Sequence, residues 1–342
     1  MIIEIDPLDT VIFRDGKPFG MGDDSWTSSL LFPTPTTIYG ALRGTYFAQN
    51  PNDFKKIHED DVTQSLIIKG IYLYIDDELL YIAPKDCVNR LDQDEIITLK
   101  LEENKLTNNP LSYTLTSSEE IENMEEMLFN KTTFDDYLKG SNILYGKSLE
   151  SYINIENKIG IGRDRTKRVT QEGLLYRVQM LRYEFKIVVE FEGLALNYSG
   201  LMKFGGEAKG AKYKQLEAIK NPTIPKIYKS IFKLYLLTPA IFEKGWFPSW
   251  IDENDNFRGE FKGIKLQLIS CAIGKSQSIG GFDMKTNQPK EMFKTVPTGS
   301  IYYFEVLDSQ YDKLTELFHL QSISDYRVNE GYGVTILSGV ER

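Results

Sequence analysis

The sequence predicts an α+β protein built of two sheet-bearing domains, and three observations carry that expectation. A chain of 342 residues with 41% hydrophobic content is long enough for two cores of ordinary size. Its 20 Tyr and 19 Phe, with Val and Ile spread throughout, favour pleated surfaces on which flat and β-branched side chains pack well. Segments that read as strand, helix and strand recur in that order in both halves.

Residues 1–13 read as a broken first strand, closed by a turn that Asp15, Gly16 and Pro18 force. Arg14 and Lys17 fall on that turn. Next, Thr36 is the expected cap of a helix carrying Ile38, Ala41, Leu42 and Tyr46 on one side, with Gly40 allowing close approach to a sheet. The alternating segments 66–75 and 79–83 flank Asp76, Asp77 and Glu78 and read as a hairpin. Residues 91–150, rich in Asn, Ser, Thr and Glu, read as an acidic insertion with an amphipathic helix near 119–129. Strands resume over 176–191 and lead to the glycine loop at 204–210. Asn221, Pro222, Thr223, Ile224 and Pro225 suit a linker, which divides the chain into domains 1–220 and 226–342. Beyond it come strands at 231–237, 264–272 and 299–306, a helix at 309–319 and a last strand at 333–338. This order suits two fused ferredoxin-like βαββαβ units, the RRM-like architecture, although no repeat is visible residue by residue.

Charge is divided along the chain. The formal net charge is −9, which argues against a free-standing, non-specific nucleic-acid binder. Yet 158–186 carry 8 basic and 3 acidic side chains and 203–233 carry 8 and 2, while 91–150 carry 5 and 13. A polyanion could therefore be held locally on an otherwise acidic body. No run approaches the roughly 20 apolar residues that span a bilayer, and the opening lacks a basic signal-peptide region, so no membrane contact and a cytoplasmic location are expected. Cys87 and Cys271 are single and far apart, which suits neither a disulfide framework nor a multi-cysteine zinc site.

Glycine loops stand at 205–210, 274–281 and 331–339, where backbone N–H groups can converge on phosphate oxygens. Each also suits an ordinary tight turn. Gly274-Lys275-Ser276 is not a P-loop, because Ile269 occupies the position where that motif needs glycine. Arg163, Arg165, Lys167 and Arg168 crowd around the single carboxylate of Asp164, a pattern able to clamp successive phosphates or, equally, to form a solvated loop. Catalysis finds little support. The chain has 2 histidines, His58 in a polar segment and His319 near a helix end, where a cation is favourable without any catalytic role. No carboxylate pattern suggests a metal centre, and no cofactor is expected.

Six ordered segments carry a family resemblance over nearly the whole chain: PLDTVIFRDGKPF with FPTPTTIYGALRG, KIGIGRDRTKRVTQEGLLYRVQMLR, KFGGEAKG, LYLLTPAIFEKGWFPSW, SIGGFD and VPTGSIYYFE. Together they resemble subunit three of the Cmr-type (type III-B) CRISPR effector complexes, a family of the RAMP superfamily. The resemblance implies two fused ferredoxin-like domains and a non-catalytic subunit that cradles the 5′ tag of the CRISPR RNA. It also implies docking on a large polymerase/cyclase-like subunit and on a RAMP backbone subunit. Carried over by position, the implied RNA contacts are Arg14, Lys17 and Arg43, then Arg163, Arg165, Lys167 and Arg168, then Gly205, Gly206 and Lys209, with Lys275 in the second glycine loop. Two rival readings are an endoribonuclease that cuts precursor guide RNA through a histidine or Tyr332, and a scaffold that touches only protein.

Overall fold

The computed structural model describes residues 1–14, 26–27, 29–57, 61–104, 108–163, 166–167, 169–207, 209–223, 230–283 and 288–340. Lys17, His58, Arg165, Arg168 and the end of the expected linker lie outside them. In the first half, β1 (Ile2–Pro7) is followed by α1 (Pro35–Gln49) and the hairpin β2 (Ile67–Ile75) and β3 (Glu78–Ile82). Asp76 and Asp77 turn that hairpin with φ of 48° and 62°, the left-handed pair that a tight primed turn requires. After the insertion come β4 (Met127–Asn130), α2 (Lys131–Leu138) and β5 (Lys147–Ser148). A long hairpin of β6 (Ile153–Arg163) and β7 (Thr170–Tyr183) precedes β8 (Lys186–Glu192), β9 (Ser199–Lys203) and β10 (Gly210–Leu216). The second half holds β11 (Ile231–Leu236), β12 (Ile251–Asp252), β13 (Arg258–Phe261), β14 (Ile264–Ala272), β15 (Ile301–Val306), α3 (Leu314–Phe318) and β16 (Thr335–Gly339).

The two largest sheets are antiparallel, ordered β5–β4–β3–β2–β8–β1–β10–β9 and β12–β13–β14–β15–β11–β16, and the β6–β7 hairpin lies in a smaller sheet of its own. Within them β2–β8–β1–β10 and β14–β15–β11–β16 share one order, second–third–first–fourth by sequence. The helix of the first set follows its first strand, and that of the second set precedes its fourth. Alternation along the strands dictates the stacking. Ile3, Ile5, Ile187 and Val189 face Ile38 and Leu42 of α1, whereas Tyr72, Tyr81 and Val188 on the opposite face meet Ile231, Tyr235, Ile269 and Tyr303 of the second sheet. Phe232, Leu234 and Phe304 then turn outward to Leu314 and Phe318 of α3. The layers run helix, sheet, sheet, helix, and β11 is buried on both faces.

Three local expectations are corrected. Thr34 caps α1, its hydroxyl accepting from the Thr37 N–H at 3.2 Å, with Pro35 at the first turn where a missing N–H costs nothing. Thr36 instead bonds the Tyr332 hydroxyl at 3.1 Å and the Glu330 carboxylate, tying the start of α1 to the second half. Gly40 allows no close approach, since a Cβ built there meets nothing within 4 Å. Residues 119–129 form no helix: Ile121–Glu122 and β4 are strands, and the helix begins only after Asn130, whose side chain accepts from the Thr133 N–H at 2.9 Å. The apolar spacing of Phe134, Tyr137 and Leu138 belongs to that later helix, which buries all three.

A buried polar hub joins the layers. Asp86, fully buried, accepts from Tyr137 Oη at 2.9 Å, Tyr303 Oη at 2.6 Å and Lys233 Nζ at 3.1 Å. Lys233 also lies 3.8 Å from the centroid of the Tyr137 ring. One carboxylate thus satisfies donors from α2, β11 and β15, which a buried charge requires.

Candidate nucleic-acid interface

Where β1 ends, Val11 exchanges two 2.8 Å backbone bonds with Leu181 of β7, and the next aromatic, Phe13, is buried. Its ring lies 5.4 Å from that of Phe204, edge to face, and 6.3 Å from that of Tyr183. This packing fixes the start of the 204–209 loop. Phe204 N–H donates to Lys209 O at 2.8 Å, and Gly206 N–H donates to Ile12 O at 2.8 Å. Gly205 has φ +81° and a Cβ on it would lie 2.9 Å from the Ile12 oxygen, so both conformation and space demand glycine. The N–H groups of Gly205 and Glu207 take no partner among the described residues, which leaves two donors at the turn for an anion.

Cations gather beside this loop. Lys209 Nζ lies 2.9 Å from Asp9 Oδ2, and Arg182 spans Asp9 at 3.3 Å and Glu156 at 2.6 Å. Lys158 Nζ donates to Thr10 Oγ1 at 3.2 Å. The bond from Lys209, then the Thr10 backbone N–H, holds the Asp9 carboxyl far below its ordinary range, so it stays ionised. Lys158 and Arg182 were not anticipated as site residues. Ile153, Ile155, Ile159 and Ile161 alternate ahead of the basic cluster at 163–168, a period-two pattern that marks Lys158 as a strand residue, and that strand is β6.

The other expected contacts divide. Arg14 is exposed where its backbone bridges Ser29, close to this ledge along the chain. Arg163 ends β6 opposite Thr170, and Lys167 is exposed at the hairpin tip. Arg43 is engaged elsewhere, donating to Thr63 Oγ1 and Asp61 Oδ2 at 2.6 Å each and anchoring the 61–65 turn to α1. Lys275 is exposed on the second half. Gly274 beside it is a packing residue, because a Cβ would lie 2.7 Å from Pro297 Cγ. Gly331 and Gly333 likewise have φ of +92° and +71° and abut Ile68 and Ser324, so the third glycine loop closes the contact between halves.

The second sheet does not present an open RRM-type face. Such a face offers stacking residues from its central strands, and here those strands contribute Tyr303 and Lys233 to the Asp86 hub. His319 is pushed down to about 4 by burial and is neutral near pH 7, which corrects the expectation of a cation at that helix end. Burial raises the Tyr332 hydroxyl, which is held by Thr36. Among the described residues no group of metal-binding side chains is found, and no helix is long and apolar enough to cross a membrane.

The class these features define is a two-sheet α+β protein with a pinned glycine loop set among cations. A family model of the CRISPR-associated protein Cas_Cmr3 matches residues 3–337, and the chain belongs to that Cmr3 family. It is 24% identical over 318 residues to the CRISPR system CMR subunit Cmr3 of Saccharolobus solfataricus, covering 89% of this chain and 86% of the relative. The same fold is found in a chain of the type III-B Cmr-beta complex bound to cognate target RNA and AMPPnP, seen by cryo-EM, at 20% identity and a TM-score of 0.53, with 89% and 86% covered. A chain of that complex bound to cognate target RNA alone matches at 19% identity, with the same TM-score of 0.53 and the same 89% and 86% covered.

Proposed function

We propose that the protein is a non-catalytic, RNA-holding subunit of a type III-B CRISPR effector complex, seating the 5′ tag of the guide RNA on the ledge formed by the 204–209 loop, the end of β1 and the β6–β7 hairpin. Each four-strand set is then one ferredoxin-like unit of the RAMP kind, and the large polymerase/cyclase-like subunit and a RAMP backbone subunit are its protein partners. One observation carries the reading. Gly206 pins the loop to Ile12, the N–H groups of Gly205 and Glu207 take no partner among the described residues, and Lys209, Lys158 and Arg182 stand alongside. Backbone donors with adjacent cations position phosphates without reading sequence, as the holding of a constant tag requires.

The endoribonuclease alternative is less favoured, because the described His319 is half-buried and neutral and the Tyr332 hydroxyl is raised and engaged. The test is to co-express the tagged chain with its neighbouring subunits and array and to count guide RNA per complex. Charge reversal at Arg165 and Lys167 should strip guide RNA while the complex persists. Full retention would refute the ledge, and metal-independent cleavage of repeat RNA, lost in His58→Ala or His319→Ala, would establish the enzyme instead.

A further inference from the structure

We propose that the outer face of β9 and β10 is a track for the phosphodiester backbone of single-stranded RNA leaving the glycine loop, with Lys203, Lys212 and Lys214 as its cations. This rests on the reading of the ledge above and extends it along the sheet. Register sets the geometry. Lys203 pairs with Gly210, Leu201 with Lys212 and Ser199 with Lys214, so these residues share one face of the sheet. Two residues along a strand advance about 6.7 Å, a step comparable with that between successive phosphates of an extended strand. The row begins where the 204–209 loop ends, and toward the sheet centre the same face passes under the second half, where Ile2 and Leu216 join its core. An open ledge is left between loop and second half.

The charges of Lys203 and Lys214 are available, and that of Lys212 is shared with Asp6. Glu4, the cross-strand neighbour of Lys214, is taken by Lys186 at 3.0 Å, and Asp6 is taken by Lys212 at 3.1 Å. Lys203 pairs with Gly210, which brings no carboxylate opposite it. Lys203 and Lys214 therefore have no ion pair among the described residues, and both are exposed. Leu201, 71% exposed in their midst, offers an apolar contact to a ribose or base. A cationic face continuous with a backbone-donor loop, with no aromatic among its paired positions 199, 201, 203, 210, 212 and 214, suits a strand gripped by its phosphates regardless of sequence.

The experiment uses the full-length protein and fluorescein-labelled single-stranded RNAs of about eight and about twelve nucleotides, within the range of known single-strand site sizes, titrated at several salt concentrations. The double variant Lys203→Gln/Lys214→Gln keeps the alkyl stems and the Lys212–Asp6 pair, and Lys209→Gln probes the ledge. The track predicts tighter binding of the longer RNA, and in the double variant a salt slope reduced by about 1.4 for that RNA only, from two phosphate contacts at about 0.7 each. An unchanged slope in the double variant, with Lys209→Gln weakening both RNAs, overturns the track and leaves the ledge standing. If no variant alters either RNA, both fall. Loss of partner-subunit capture with RNA slopes intact assigns the lysines to an acidic protein surface and also overturns the proposal.

Discussion

Replacing Asp86 by Ala removes the acceptor shared by three buried donors. Lys233 is left with a side chain 8% exposed and no counter-charge, and the Tyr137 and Tyr303 hydroxyls lose their 2.9 Å and 2.6 Å bonds. Breaking one side of a buried pair costs about 3–5 kcal/mol. Unpaired hydroxyls add to this where water cannot reach them, but Lys233, Tyr137 and Tyr303 line a cleft of about 920 Å³ shared with residues 97–103 and 116–119, which admits water and keeps the total near that range. At roughly 2 °C per kcal/mol for a chain of this length, the midpoint of thermal unfolding should fall by about 6–10 °C. Differential scanning fluorimetry and urea unfolding of the purified chain measure it. Asp86→Asn, which keeps an oxygen acceptor, should lose less, and Asp86→Leu/Lys233→Met should recover most of the loss by removing both charges. A fall of under about 1 kcal/mol in Asp86→Ala, or a double variant no more stable than the single, would refute the hub as the joint between the sheets.

Other outcomes follow from the same geometry. His319 has a folded-state pKa of about 4, below its usual 6.5. The unfolded chain therefore binds the extra proton first, and stability present above pH 6.5 is lost as pH falls toward 4. After allowance for partial exposure this amounts to about 2 kcal/mol, and His319→Gln should flatten that part of a pH–stability profile. Gly205→Ala forces a side chain onto φ +81° against the Ile12 oxygen and should cost about 1–3 kcal/mol together with RNA affinity. Gly40→Ala, in open space within α1, should instead stabilise by up to about 1 kcal/mol with RNA affinity unchanged. Equilibrium unfolding and fluorescence anisotropy on the same preparations test both glycines.

Much of the fold was legible because burial on both faces leaves a plain record. Ile231–Leu236 is a continuous apolar run with one lysine, and its strand was evident, as was the 264–272 strand, which the structure reproduces residue for residue. The stacking of one sheet on the other was not legible, since it depends on Tyr72, Tyr81 and Val188 finding Tyr235 and Ile269 across the chain. Nor was the purpose of Lys233: a lysine in an apolar strand declares a buried partner, but nothing local points to Asp86, 147 residues away. At the candidate interface, the Gly205–Gly206 pair was evident from composition. Lys158 and Arg182 emerged only with the pairing of β6 and β7, which places them beside Asp9 and Thr10. Arg43 shows the converse, a cation near a suggestive motif that the fold commits to Asp61.

The most direct measurement is photo-crosslinking of the assembled complex carrying guide RNA substituted with 4-thiouridine, followed by mass spectrometry of the crosslinked peptides and sequencing of the attached RNA. The account predicts crosslinks from the repeat-derived 5′ end to peptides spanning 9–14, 158–170 and 203–210. Crosslinks from that end confined to the second half, or to other subunits with none on these three segments, would contradict it.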